Sequence, residues 1–241
     1  MIGTKEQAWS YLRGLERALA ETGMPRGADM NSAIRSIMAS ATSDGRQRHL
    51  RKPEAAFLNH FVLPTLYAHL KDSHSLTDQQ AKTALLNEYH RSMPETSLHS
   101  PAYPGRHPFG KVLGSSPATV YAQWLKPGNS DGLTQSCPDF ALHDPFPHRI
   151  VFEGKYFGTG SLEYAQRQLA TDIYQAFFYR GLPRAKARKP QRPNWDYDYS
   201  CFLAFDASKE GSLLTAWKAL PLKVRNSFWD TGNIYVMILR D

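Results

Sequence analysis

The sequence predicts an α/β protein in which helices flank a mixed central sheet, with a helical part at the N-terminus. Two observations predict this class. Apolar residues recur at helical spacing through the first 92 residues, whereas the second half contains short β-like runs separated by two amphipathic stretches. We expect residues 1–50 to form a helical N-terminal extension and residues 51–241 to form the main domain, the two making one compact unit.

Capping residues and prolines define the first helices. Thr4 is expected to cap a helix that runs to about Ala20, and a second helix is expected over 30–40. Pro53 suits the first turn of a long apolar helix, because a residue there needs no backbone N–H. Pro64 lies inside that helix and should kink or divide it.

The remaining elements follow from local patterns. Thr77-x-x-Gln80 is a capping box ahead of apolar positions at 81, 84, 85 and 89, which predicts a helix there. Two further helices are expected over about 162–180 and 208–220. Strands are expected at 118–125, 138–143, 149–157, 199–206 and 233–240.

Composition and charge exclude several classes of protein. Hydrophobic residues make up 41% of the chain, which excludes a disordered protein. The 29 Lys and Arg exceed the 22 Asp and Glu, giving a net charge of +7. An excess of this sign suits a polyanionic partner, with DNA or RNA ahead of a membrane surface.

The compartment is inferred from cysteines and apolar runs. Cys137 and Cys201 are too few for a disulfide scaffold or a cysteine-based zinc site. The apolar run Ile234–Leu239 has six residues, far fewer than the ~20 that span a bilayer. The N-terminal stretch has the composition of a helix and lacks a signal-peptide core. We therefore expect a cytoplasmic protein that makes no membrane contact.

Charged residues interrupt two neighbouring predicted strands. Asp139 follows Pro138 at the start of one strand, and Glu153-Gly154-Lys155 begins after thirteen intervening residues in the middle of the next. Alternation along a strand places Glu153 and Lys155 on one face, and pairing of the two strands would bring Asp139 to them. The apolar neighbours of Glu153 fill both faces, which predicts a strand buried on both sides.

These residue types suit phosphodiester chemistry. Carboxylate oxygens are the ligands that Mg²⁺ prefers, and Mn²⁺ is an alternative ion for the same site. An ion held by Asp139 and Glu153 could polarise a phosphodiester, and Lys155 could orient the attacking water. Two simpler interpretations stay open. Glu153 and Lys155 could form an ion pair on a solvated face, and Asp139 could cap a turn.

Pro138-Asp139, the thirteen-residue spacing and Glu153-x-Lys155 resemble the PD-(D/E)xK nuclease superfamily, the fold of many restriction endonucleases. The resemblance implies a restriction endonuclease-like core with the order α-β-β-β-α-β. In that core the aspartate opens the second strand and the Glu-x-Lys lies on the third. It covers about residues 50–206 and implies a Mg²⁺-dependent nuclease, with a type II restriction endonuclease-like enzyme first.

The resemblance also suggests supporting residues. Many members add a glutamate from the helix before the sheet, for which Glu54 is the best match and Glu88 the second. Glu54 could instead only stabilise the N-terminus of its helix, where the helix dipole favours a negative charge. Gln175-x-x-x-Tyr179 is similar to the Gln-x-x-x-Tyr element of RecB-type nucleases, and Gln168 is an equal candidate on the same polar face. A polar outer helix face would explain both glutamines equally well.

A basic run follows this helix and predicts contacts with a nucleic-acid backbone, although a solvated loop is the alternative. Its basic residues are Arg184, Lys186, Arg188, Lys189 and Arg192. A second basic segment at 46–52 precedes Glu54. The histidines lack metal-ligand spacing, and we expect His143 and His148 at the surface.

The sequence leaves three interpretations of function open. The first is a DNA endonuclease, whose homodimer would allow two sites to cut two strands. Within the same superfamily, a repair, recombination or transposition nuclease is the alternative. The others are a nucleic-acid-binding protein without catalysis and an interaction subunit whose carboxylates lie in exposed ion pairs. The sequence does not reveal which DNA site is recognised, whether cleavage is endo- or exonucleolytic, or whether RNA is accepted.

Overall fold

A computed structural model describes residues 3–25, 27–40, 52–87, 139–142, 144–181 and 197–240. Within these ranges the chain forms a mixed sheet with helices packed on both faces, which confirms the predicted α/β class. The predicted strand at 118–125 lies outside the described residues.

Two helices open the chain. Helix α1 spans Lys5–Glu21 and starts at a reciprocal capping box, in which the side chains of Thr4 and Gln7 each bond to the other residue's backbone N–H. The predicted cap at Thr4 is confirmed. Helix α2 spans Gly27–Ser40. Its buried residues and those of α1 belong to the same apolar cluster as the strands, so residues 1–50 contribute to the main core.

The next helical stretch is divided as Pro64 predicted. Helix α3 covers Pro53–Phe57, a π-helical turn covers Leu58–Val62, and helix α4 covers Leu63–His74. In a regular α-helix the ring of Pro64 would clash with the carbonyl of the residue four positions earlier, and proline has no N–H to bond to it. The wider π turn directly before the proline accommodates this mismatch.

The helix predicted from the Thr77 capping box ends earlier than its apolar pattern indicates. Helix α5 spans Asp78–Ala84, and strand β1 follows at once as Leu85–Asn87. The expected helical position at Leu85 was wrong, because Leu85 is extended and pairs with Leu142 of the sheet. Strand pairing distant in sequence overrides helical spacing here.

Four further strands complete the sheet, and helices lie between them. The strands are β2 (Phe140–Leu142), β3 (Ile150–Phe157), β4 (Tyr199–Asp206) and β5 (Ile234–Leu239). The helices are α6 (Leu162–Gly181), α7 (Ser212–Ala219) and α8 (Leu222–Asp230). The sequence pattern did not predict α8, which begins after Pro221.

The strand order is β1-β2-β3-β4-β5. The first three strands are antiparallel neighbours, whereas β3, β4 and β5 are parallel. Helix α6 makes the crossover from β3 to β4, as a parallel pair requires. Helices α1–α5 cover one face of the sheet, and α6 and α7 cover the other. Among the described helices, none is both long and apolar enough to cross a membrane.

Candidate active site

Pairing of β2 with β3 brings Asp139 to the charged part of β3. Phe140 lies opposite Phe152, so Asp139 falls next to Glu153 at the end of the short strand. The Asp139 backbone N–H donates to the Phe152 carbonyl at 3.1 Å, and Asp139 Oδ2 accepts from the Gly154 N–H at 2.7 Å. Asp139 and Glu153 are only 4% and 3% exposed, so both carboxyl groups are buried.

Lys155 joins the two predicted glutamates. Its Nζ lies 2.7 Å from Glu153 Oε1 and 3.3 Å from Glu54 Oε2. Glu54 is in the first turn of α3 and is about one third exposed, so Lys155 bridges a buried carboxylate and one that reaches solvent. Glu153 and Lys155 do form an ion pair, but on a buried strand face rather than the solvated face of the simpler interpretation.

Gly154 lets the helices come close enough for this contact. Its missing side chain faces the apolar layer, where a Cβ would clash with the Leu58 side chain of the π-helical turn. Leu58 is itself fully buried. A glycine between Glu153 and Lys155 therefore allows the 53–62 segment to approach β3, which places Glu54 beside Lys155.

Asp172 is a fourth acidic group of this region and is not among the site residues predicted from the sequence. It lies in α6 and is 2% exposed. Its Oδ1 accepts from Gln168 Nε2 at 2.7 Å, whereas its Oδ2 has no hydrogen-bond partner within the described ranges. A signal was present, since an aspartate between the apolar residues Leu169 and Ile173 is unusual on a helix face that packs on a sheet.

Burial dominates the electrostatics of the carboxyl groups. It raises the pKa of Glu153 to about 7, although Lys155 lowers it, with Glu54 and Asp172 adding to the rise. Burial likewise raises the pKa of Asp172 to about 6, against the lowering effects of Lys155 and Gln168. These mutual effects show that Asp172 shares the electrostatic environment of Glu153 and Lys155.

Lys155 behaves in the opposite way. Burial by itself would lower its pKa, but the carboxylates of Glu153, Glu54 and Asp139 together raise it well above its ordinary value. The ammonium group is therefore charged at any physiological pH, so it can donate hydrogen bonds and stabilise negative charge but cannot accept a proton.

The donor set fits a hard divalent cation in its chemistry. Four carboxyl groups interact electrostatically with one ammonium group, and one buried carboxylate oxygen, Asp172 Oδ2, has no partner in the described part of the chain. Oxygen ligands of this kind suit Mg²⁺ or Mn²⁺. In the described ranges no three His, Cys, Asp or Glu side chains lie close enough together to hold a metal ion. The Lys155 ammonium instead contacts both Glu153 and Glu54.

The structure describes only two of the other predicted site residues. Gln168 joins the region through its hydrogen bond to Asp172, and Gln175 is partly buried about one turn beyond Asp172 on α6. The basic residues Arg184, Lys186, Arg188, Lys189 and Arg192 lie outside the described residues, as does Glu88. Their roles stay predictions.

The surface position expected for His148 is wrong. This side chain is 1% exposed and packs among the rings of His74, Phe146 and Tyr199. The sequence signal misled because proline-rich turns are normally exposed, whereas this one folds back onto α4. His143 lies outside the described part of the chain.

Comparison of the chain with protein families, with curated proteins and with solved structures found no match. The geometry and chemistry of its own residues therefore carry the functional assignment.

Proposed function

We propose that this chain is a Mg²⁺-dependent deoxyribonuclease that hydrolyses phosphodiester bonds, with Mn²⁺ as an alternative ion. The observation that carries the proposal is the convergence of Asp139, Glu153 and Lys155 at the junction of β2 and β3, with Glu54 reaching Lys155 from α3. Buried charges are costly, so a group with more carboxylates than cations indicates a site that binds a further cation.

The order of elements supports a restriction endonuclease-like core. Helix α3 and its continuation precede three antiparallel strands, and α6 leads to the parallel strand β4. Asp139 immediately precedes the second strand of that series, and Glu153 and Lys155 lie on the third. This is the arrangement that the resemblance to the PD-(D/E)xK superfamily implies.

Each residue has a distinct role in the proposed reaction. Asp139 and Glu153 would hold the cation, which when bound supplies Lewis-acid polarisation of the phosphodiester. Lys155 would orient the attacking water and stabilise charge that develops on the phosphate oxygens. Glu54 would keep the Lys155 ammonium directed toward the site through its 3.3 Å contact. A net charge of +7 supports DNA as the substrate.

Plasmid cleavage tests this proposal. Supercoiled and linear DNA are incubated with the wild type, Asp139→Ala and Lys155→Ala, each with and without Mg²⁺. The matched control is Glu163→Gln, which removes an exposed acid from the first turn of α6. Mg²⁺-dependent cleavage that is lost by at least about 100-fold in both site variants, but not in the control, is the expected result.

The products distinguish the finer alternatives. Discrete fragments would support a type II restriction endonuclease-like enzyme, whereas trimming from ends would support a repair or degradation nuclease of the same superfamily. Absence of cleavage, with equal DNA binding by all the proteins, would contradict the proposal and favour a binding protein without catalysis. Sedimentation of the active protein with and without DNA would test whether it forms the homodimer expected of an enzyme that cuts two strands.

A further inference from the structure

The Asp172 carboxylate is buried on a helix face whose other residues are apolar. Asp172 belongs to the face of α6 that packs on the sheet, where the other inward residues are Ala165, Leu169, Ile173 and Ala176. An apolar side chain there would extend this packing without the desolvation cost of a carboxylate. The position nevertheless carries an acid, and one of its oxygens lacks any hydrogen-bond donor among the described residues.

Gln168 fixes the orientation of this acid. It lies one turn earlier on α6 and donates to Asp172 Oδ1 at 2.7 Å. The hydrogen bond satisfies one oxygen and leaves Oδ2 available on the side chain that interacts electrostatically with Glu153, Lys155 and Glu54. Among the described residues Lys155 forms ion pairs with Glu153 and Glu54, and none with Asp172.

We infer that Asp172 Oδ2 is a further ligand for the divalent cation, supplied by the helix that follows the Glu-x-Lys strand, and that Gln168 is its positioning residue. This inference rests on the proposed function, because it takes the same ion. The site would then collect carboxylates from β3, from the start of β2 and from α6. A carboxylate that is already buried and held by a second residue needs little ordering when the ion binds.

Binding of Mn²⁺ alone, without DNA, tests this assignment. The affinity of the intact protein for Mn²⁺ is measured by titration calorimetry and by electron paramagnetic resonance. Gln168→Leu removes only the residue that positions the ligand, a loss that typically weakens metal binding by about 10- to 100-fold. Asp172→Asn removes the ligand itself and should weaken Mn²⁺ binding by at least as much. Glu163→Gln on the same helix should bind Mn²⁺ as the wild type does.

The asparagine variant separates a ligand from a protonated acid. Asparagine closely resembles a neutral aspartic acid in shape and hydrogen bonding, so a position that works only in protonated form would tolerate it. Unchanged Mn²⁺ affinity in Asp172→Asn would therefore overturn the inference. So would a wild type that binds no Mn²⁺.

Thermal unfolding gives a readout that does not depend on the ion being present. In buffer with a chelator, Asp172→Asn should be at least as stable as the wild type, because a buried charge is removed and Gln168 keeps a partner. With Mn²⁺ added, the wild type should gain more in Tm than the variant. Equal gains would contradict the inference.

The two proposals fail in distinguishable ways. If the wild type binds Mn²⁺ through Asp172 but cleaves no DNA, the nuclease proposal is wrong and the cation site stands. If the wild type cleaves DNA while Asp172→Asn retains full Mn²⁺ affinity, only the role of Asp172 is wrong.

Discussion

The two faces of the sheet bury side chains of different chemistry. The face toward α1–α5 is apolar along every strand, and β3 contributes Ile150 and Phe152 to it. On the face toward α6 and α7, apolar packing around Phe202 extends over β4 and β5 and reaches Phe157 at the end of β3, but the middle of β3 carries the buried Glu153 and the mostly buried Lys155. Successive residues of the same strand thus belong to a dry core and to a charged site.

On the face toward α1–α5, the buried polar groups are neutral rather than charged. His148 and Tyr11 lie there. Among the described residues neither the His148 ring nitrogens nor the Tyr11 hydroxyl has a hydrogen-bond partner, and burial favours the neutral forms of both groups. The second face keeps charge, because Glu153 and Lys155 stabilise each other. Burial therefore selects neutral groups unless ionised ones are paired, so charges retained in a core indicate a purpose other than stability.

Removal of the ammonium should have the largest effect. Lys155→Met should abolish cleavage and lower the free energy of unfolding by about 3–5 kcal/mol, because it leaves Glu153 buried without its partner. The loss should be smallest at and below pH 4.5, the ordinary pKa of a glutamate. It should grow as the pH rises, because Glu153 ionises in the unfolded chain while burial keeps it protonated in the folded variant. Denaturant unfolding over this pH range measures it.

The matched double variant Lys155→Met with Glu153→Gln should recover much of that stability but none of the activity. A double variant as unstable as Lys155→Met would show that the lysine acts through packing of its stem and not through the buried charge.

Acidification should destabilise the apolar face. Burial, assisted by His74, lowers the pKa of His148 from 6.5 to about 4. The unfolded chain therefore binds a proton more readily, and stability that is complete above pH 6.5 should be lost progressively down to pH 4, by on the order of 3 kcal/mol. Chemical unfolding between these pH values should show a flatter profile for His148→Phe.

His74→Gln is the control for this experiment. It removes the secondary cause of the shift but leaves His148 buried, so most of the pH dependence should persist. An unchanged acid profile in His148→Phe would place the acid sensitivity elsewhere.

The smallest effect should come from a methyl group added on the apolar side of the charged strand. Gly154→Ala would push against Leu58 and should lower the free energy of unfolding by about 1–3 kcal/mol. It should also reduce cleavage, because Glu54 moves with the 53–62 segment. In Gly158→Ala the nearest atom is 3.2 Å away at Tyr156, so this matched variant should lose less of both. Equal losses in the two variants would contradict a special role for the Leu58 contact.

Local sequence patterns determined much of the candidate site. The alternation of β3 and its apolar neighbours predicted that Glu153 and Lys155 share a face of a doubly buried strand, and the ion pair and burial agree. The spacing to Asp139 predicted strand pairing, which the Phe140–Phe152 register confirms. Such features are predictable because strand geometry fixes side-chain direction within a few residues.

Tertiary structure alone decided the rest. Asp172 comes close to Glu153 and Lys155 because α6 packs its inner face against β3, whereas its helical spacing to Gln168 and Gln175 fitted the pattern of an outer polar face. Leu85 left its helical spacing to pair with β2, and His148 was buried by the turn that folds onto α4. Each outcome depends on contacts between residues far apart in the chain, whose packing energy exceeds local propensity. The sequence by itself determined the α/β class and the chemistry of β3, and the packing of helices on the sheet determined which further groups surround it.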